Sequence, residues 1–237
     1  MRAILLILFF LPLNIAHAQL TTGIKLGLTT GTPIGPREDG ATGKLGIGTI
    51  AGVLTEYQVN DKWRLGVELY YTQKKSTFST PAAVDEYDYL FEPPGTDTMV
   101  WIVAEFQGFV DGQFDNRYVE MPILGHYYFT ERFGLSFGPY FSYLLKGDIS
   151  GISTGDVKIG VGTLPVENQV FDESQHLQTL DYGLIGGIRY QTNFGINYEL
   201  RMTTGMRSVF KNTYPLAEGV VRNIYLQLTA GYKFGKR

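Results

Sequence analysis

"RYVEMPILGHYYF", residues 117–129, decides how this chain is to be read. Val119, Met121, Ile123, Tyr127 and Phe129 alternate with Tyr118, Glu120, Leu124, His126 and Tyr128. That is the period-two pattern of a strand with two different faces. Two features resist a soluble sheet. Pro122 stands mid-strand, where a ladder needs an N–H donor. Glu120 and His126 share the face that would carry the less apolar set. Six residues separate them, about 20 Å along a strand, too far to pair with each other.

The same period recurs along the chain. Ile24, Leu26 and Leu28 alternate with Gly23, Lys25 and Gly27. Leu45, Ile47, Ala51, Val53 and Tyr57 alternate with Gly46, Gly48, Gly52 and Glu56. Trp63, Leu65, Val67, Leu69 and Tyr71 alternate with Arg64, Gly66, Glu68, Tyr70 and Thr72. Four later segments, near 133–146, 180–190, 196–203 and 223–234, repeat it. The spacing predicts eight strands and no helix. Short connections fall at "QVNDK", "TERF" and "QTNFG"; long ones fall near 30–44, 76–116, 147–177 and 205–219. Alternating short turns and long loops is the habit of a transmembrane up-and-down barrel, with an even strand number returning both termini to the turn side.

Composition agrees. Charged residues are 18% of the 237, below the roughly 25% of soluble domains. Mean hydropathy is near zero, which excludes a bundle of membrane helices but not a barrel, whose faces average out. The formal net charge of −3 gives no reason to expect nucleic acid binding. With no cysteine, disulfides, thiolate nucleophiles and zinc–thiolate sites are excluded.

The N-terminus reads as an export signal over residues 1–18. Arg2 precedes the apolar "AILLILFFLPL", and Ala16-His17-Ala18 is a small-x-small cleavage pattern before Gln19. The run is too short to span a bilayer, which needs about 20 residues. The domain boundaries expected are 1–18 for the signal and 19–237 for the barrel.

The apolar face is expected to meet lipid and the glycine- and charge-bearing face to fill the lumen. An exposed polar surface has no need of glycine, whereas a crowded lumen does. The expected inward polar set is Lys25, Glu56, Arg64, Glu68, Glu120, His126, Asp181, Arg189, Glu199, Arg201 and Lys233. Both signs are present, as a dry interior requires. Across the turn near 191–194, Arg189 is expected diagonal to Glu199. Tyr57, Trp63, Tyr71, Tyr127, Phe129, Tyr143, Tyr190, Tyr198, Tyr232 and Phe234 sit near strand ends, as interfacial girdles do. A closed barrel has no edge to lodge a proline, so Pro122 and Pro139 predict a lost ladder bond or bulge between the fourth and fifth strands.

The blocks "YVEMPILGHYYF", "GLSFGPYFSYLL", "LDYGLIGGIRYQ", "INYELRMTTGM" and "RNIYLQLTAGYKF" resemble, in order, those of the PorT-like outer-membrane β-barrel family of Gram-negative bacteria. They cover roughly the last half of the chain after the signal. The resemblance implies an eight-stranded porin-like barrel and a tie to protein secretion, with no fixed chemistry. Barrels of this kind usually end on an aromatic; here Gly235-Lys236-Arg237 follows Phe234.

No catalytic, cofactor or metal set is expected. The segment 76–116 carries Asp85, Glu86, Asp88, Glu92, Asp97, Glu105, Asp111 and Asp115, but at no calcium-loop spacing. Its "TMVWIVAEFQGF" is apolar for an external loop and suits either a hairpin extending the wall or a partner's contact patch. A rim hydrolase or acyltransferase would need histidine at the outer rim. His126 falls at the opposite end, and His176 lies beside Asp172, Glu173 and Ser174. The glycines of "GIGTIAG" lie in a strand and make no phosphate loop. The reading is a monomeric outer-membrane barrel, non-enzymatic, contacting lipid and lipopolysaccharide and presenting loops to an envelope or secretion protein. A small channel for ions or solutes is the alternative.

Overall fold

The computed structural model describes residues 20–36, 39–91, 95, 97–159, 162–211 and 219–234. The export signal over 1–18 and the Gly235–Arg237 end lie outside the described residues. Among the described residues, ten antiparallel strands follow in order: β1 (Leu20–Ile34), β2 (Thr42–Gln58), β3 (Trp63–Phe91), β4 (Val100–Tyr128), β5 (Phe133–Lys146), β6 (Ile149–Ile159), β7 (Gly162–Asp172), β8 (Leu180–Gln191), β9 (Ile196–Gly205) and β10 (Arg222–Phe234).

Eight of them close a barrel in the order β1, β2, β3, β4, β5, β8, β9, β10 and back to β1. Closure runs from Thr22↔Phe234 to Ile34↔Arg222. It leaves the ring with no free edge, the condition for a sheet to cross lipid.

The barrel is inside out relative to a soluble one. Leu26, Leu65, Phe137, Ile188 and Leu228 are among many large apolar side chains on the outer wall that are about half exposed, while Lys25, Glu120, Arg189 and Arg201 are almost fully buried. On β3 the apolar outer face runs from Trp63 to Tyr71, about 27 Å along the strand and about 21 Å along the barrel normal at a 40° tilt. That is close to the apolar band of about 25 Å that a bilayer requires. Above Tyr71 the outer positions turn polar, with Gln73, Lys75, Thr77 and Ser79.

Two expected loops are strand instead. The segment 76–116 is mostly the upper halves of β3 and β4, 29 residues each, paired from Trp63↔Tyr127 to Phe91↔Val100. The segment 147–177 folds into the β6–β7 hairpin and a 3-10 turn, Ser174–His176. β6 adds to β4 from Glu105↔Lys158 to Phe114↔Ile149. The barrel wall therefore continues outward as a four-stranded sheet. Gln169 on β7 donates to the Asp88 carbonyl on β3, 3.2 Å, so the sheet curls. Its concave face packs Ala104, Phe106, Val157 and Val166.

Of the two outcomes expected at the prolines, the ladder gap is present and the bulge is not. No register shift marks Pro122: Met121↔Phe141, Pro122↔Tyr140 and Gly125↔Phe137 keep one register, with pairing interrupted between them. The gap recurs on the β3 side, between Val67↔Ile123 and Tyr70↔Glu120. The shift lies higher, at Arg117/Tyr118. Pro122 faces the buried side and Pro139 the exposed one. A proline missing one donor leaves a gap in the ladder without requiring an inserted residue.

Candidate functional site

The lumen is filled by one continuous charged column. Each member is placed by strand alternation alone, since every second residue of each barrel strand must point inward. The structure places Lys25, Glu56, Glu68, Glu120, His126, Asp181, Arg189, Glu199, Arg201 and Lys233 there, all nearly fully buried. Arg64, its side chain 22% exposed, sits toward the turn end.

At the turn end, Glu56 accepts hydrogen bonds from Arg189 Nη2 at 2.6 Å and from Lys233 Nζ at 2.5 Å. His126 Nδ1 meets Ser136 Oγ at 2.9 Å, and its Nε2 lies 3.8 Å from Glu56. Arg64 stacks on Tyr128, 4.4 Å from the ring centroid, and donates to Gln191. A Cβ on Gly66 would run into His126 Nε2, so that glycine is the space the imidazole occupies.

In the middle, Lys25 donates to Glu68 at 2.6 Å and to Glu199 at 2.5 Å. Arg201 donates through two nitrogens to Glu68, at 2.8 and 2.7 Å, and also to Glu199. Arg189 reaches Glu199 at 3.2 Å and joins the two layers. Arg189 and Glu199 are direct register partners, not diagonal ones. The turn Thr192–Gly195 is tight enough to pair Gln191 with Asn197.

Toward the mouth, Glu120 accepts from Tyr70 at 2.6 Å, Ser142 at 2.8 Å and Gln227 at 3.1 Å, and pairs with Lys74 at 3.0 Å. Lys74 Nζ is also 3.8 Å from Asp181 and lies 4.9, 5.3 and 5.6 Å from the ring centroids of Tyr118, Tyr140 and Tyr225. Asn223 and Tyr140 donate to Asp181. Lys74 and its tyrosine cage escaped the sequence reading. The signal was there: the inward series Glu68, Tyr70, Thr72 continues to Lys74 just before the segment read as a loop.

The column sets six cations (Lys25, Arg64, Lys74, Arg189, Arg201, Lys233) against five carboxylates (Glu56, Glu68, Glu120, Asp181, Glu199). Removing a charge from water costs several kcal/mol unless it is paired and hydrogen-bonded. These charges hold one another in place. A hydrated ion crossing the barrel would have to break several such pairs.

Above Lys74 the mouth is covered. Phe114, Ile149, Leu177 and Val209 are buried together, with Phe78, Leu144, Phe171 and Phe210 packed around them. Leu177 bridges Phe210, and Gln178 N donates to the Val209 carbonyl at 2.7 Å. His176 is part of this lid, its ring 3.3 Å from the Glu173 carboxylate and 3.3 Å from the Gln175 amide. The Ser174 hydroxyl and amide donate to Asp172 and hold its carboxyl below the usual range, while burial pushes the Glu173 carboxyl up. His126 lies at the other end of the barrel.

Of the expected girdle, Tyr57, Trp63, Tyr127, Phe129, Tyr190, Tyr198, Tyr232 and Phe234 gather at the turn end. Trp63 meets Tyr127 at 4.9 Å there, and Phe133 meets Tyr190 at 4.7 Å. Tyr71 and Tyr143 mark the opposite border of the apolar band, both opposite Val119. The acidic residues of 76–116 are strung along β3 and β4, with Asp97 in the connection between them. Glu105 pairs with Lys158, and Asp115 with Lys75 and Arg117; Glu92 lies outside the described residues. Among the described residues, no three His, Asp or Glu side chains converge to hold a metal ion.

A family model described as an outer membrane protein β-barrel domain matches residues 17–211. No curated protein matches the chain. Similar solved structures include Ail, the attachment invasion locus protein of Yersinia pestis, in complex with the heparin analogue sucrose octasulfate. It is 13% identical over 91% of this chain and 99% of that one, with a TM-score of 0.42. OprG from Pseudomonas aeruginosa is 17% identical over 93% and 98%, with a TM-score of 0.36. Neisserial surface protein A is 12% identical over 91% and 97%, also at 0.36. Likeness at this level is no guide to role.

Proposed function

Because this chain belongs to the family of outer membrane protein β-barrel domains, and so lies in the outer membrane of a Gram-negative bacterium, we propose that it is a closed membrane anchor carrying an external interaction platform. It is non-enzymatic and monomeric, exported by residues 1–18, with residues 19–237 as the working domain. Within the wider family, its later sequence blocks support a place among the PorT-like barrels. Its partner is then a protein of the envelope or of a secretion or assembly system.

The observation that carries this reading is the buried ion-pair column under an apolar lid. It leaves the lumen little room for solute and makes the outside the useful part. There β3 and β4 extend about twenty residues past the apolar band, roughly 65 Å of extended chain. On the outer face of β4, Trp101 is 66% exposed, Val103 67% and Phe109 52%. Trp101 and Val103 adjoin on that face, and an exposed apolar patch with an aromatic rimmed by charge, here Glu105 and Lys158, is the kind of surface a protein partner covers.

The test is affinity purification from native membranes with wild type and a Trp101→Ser, Val103→Ser, Phe109→Ser variant. The variant is first checked for the barrel's heat-dependent gel mobility. A protein recovered with wild type and lost with the variant supports the platform. Equal recovery with both counts against this face, and sustained unitary currents in a planar bilayer favour the channel reading instead.

A further inference from the structure

The lipid-facing wall is not uniformly convex. A cleft of about 320 Å³ lies between Val119 and Met121 of β4, Phe141 and Tyr143 of β5, and Leu180 and Tyr182 of β8, with Arg207 lining it beyond the end of β9. That volume falls at the lower end of the roughly 300–1,000 Å³ of small-ligand sites. The register fixes its level. Val119, Tyr143 and Leu180 form one row across the three strands, at the top of the apolar band.

A basic ledge borders that row on its outer side. Arg117 is the register partner of Lys146, where the ladder slips by one residue. Arg207 follows Met206, whose amide bonds the Tyr182 carbonyl. Lys75 and Arg117 share the single carboxylate of Asp115, at 3.8 and 3.7 Å. Among the described residues neither Lys146 nor Arg207 has an ion-pair partner. Two other acids are nearby: Asp148 accepts from the Ser150 hydroxyl at 2.7 Å, and the buried Asp181, which also lines the cleft, accepts from Asn223 and Tyr140 on the lumen side. Among the described residues, four cations thus share the two outward carboxylates of Asp115 and Asp148, at the height where the wall leaves hydrocarbon for head groups.

We propose that cleft and ledge together bind one phosphorylated glycolipid of the outer leaflet, acyl chain in the cleft and phosphates on Arg117, Lys146 and Arg207. The inference rests on the wall facing the outer leaflet, which follows from the long strands projecting outward, and not on the platform role. The chemistry is complementary at both ends. The cleft is lined mainly by apolar side chains and faces the outer wall at the top of the apolar band, where an acyl chain would cover it. Arginine and lysine at the membrane border recognise phosphate by charge-assisted hydrogen bonds. Spacing selects the head group. From Arg117 on β4 to Arg207 past β9 is three strand spacings, about 14 Å. That breadth suits two phosphates carried at the ends of a disaccharide better than the one phosphate of a glycerophospholipid.

The experiment is native mass spectrometry of the full-length protein in detergent. It is offered bis-phosphorylated lipid A, the same lipid with both phosphates removed, and phosphatidylglycerol. The expected result is retention of the bis-phosphorylated lipid about tenfold above either competitor, falling about tenfold in an Arg117→Gln, Arg207→Gln variant that keeps its heat-dependent mobility. Equal retention of the dephosphorylated lipid or of phosphatidylglycerol by wild type overturns the proposal. So does undiminished retention by the folded variant. If that variant fails to fold, the wild-type comparison alone decides. The Trp101, Val103, Phe109 variant should retain the glycolipid as wild type does, which keeps this result separate from the platform's.

Discussion

Lys74 Nζ lies 3.0 Å from Glu120 Oε2, and neither side chain is exposed to solvent. The two sit on neighbouring strands, above the other lumen ion pairs and under the lid, so this pair is the first in the lumen that a solute entering from the mouth would meet.

Breaking that pair should be costly, because one charge would be left buried alone. Lys74→Met is expected to destabilise the barrel by about 3–5 kcal/mol. Urea unfolding in detergent micelles measures it. Lys74→Met with Glu120→Gln should recover part of the loss, since neither bare charge remains. A double variant no more stable than the single one would show that packing inside the tyrosine cage matters more than charge.

Gly66 is occupied by absence: the His126 imidazole fills the place of its side chain. Gly66→Ala is expected to cost about 1–3 kcal/mol by overpacking. His126→Ala should relieve at least half of that in a double-mutant cycle. Additive losses would mean the two positions are not in contact.

The buried ion pairs should be insensitive to salt, since mobile ions do not reach them. Between roughly 0.05 and 0.5 M NaCl the urea midpoint is expected to stay nearly constant, whereas exposed pairs are largely screened over that range. A steep fall with salt would place the stabilising charges on the surface.

The lid is a separate unit. Leu177→Ala removes a buried side chain from among Phe114, Ile149 and Val209 and is expected to weaken lid packing by about 2–5 kcal/mol. Trypsin applied to whole cells should then cut after Lys158 and Lys211 faster, with the barrel's heat-dependent mobility unchanged. Unchanged cleavage would mean the lid is held by other contacts.

Some of this was plain in the sequence. Trp63 to Tyr71 alternates cleanly because lipid on one side and a charged lumen on the other impose opposite chemistries on successive residues. Past Thr72 that contrast ends. Thr77, Ser79 and Asp111 meet water outside the membrane, so the upper halves of β3 and β4 read as loop although the ladder continues. β6 was hidden by its glycines, serines and threonines, and β7 by Pro165 and the polar Glu167-Asn168-Gln169 that interrupt its apolar alternation. The inward identity of Lys25, Glu68 and Glu199 was legible, but their pairing was not. Lys25 and Glu199 stand 174 residues apart, and which inward residues meet across a lumen is set by strand tilt and stagger, which local spacing does not encode.

Single-channel recording of the purified protein in a planar bilayer tests the closed lumen most directly. The ion-pair column under its lid should give a silent membrane, with no sustained unitary currents across the applied voltage range. Stable, protein-dependent unitary steps would contradict a closed anchor and return the chain to the channels.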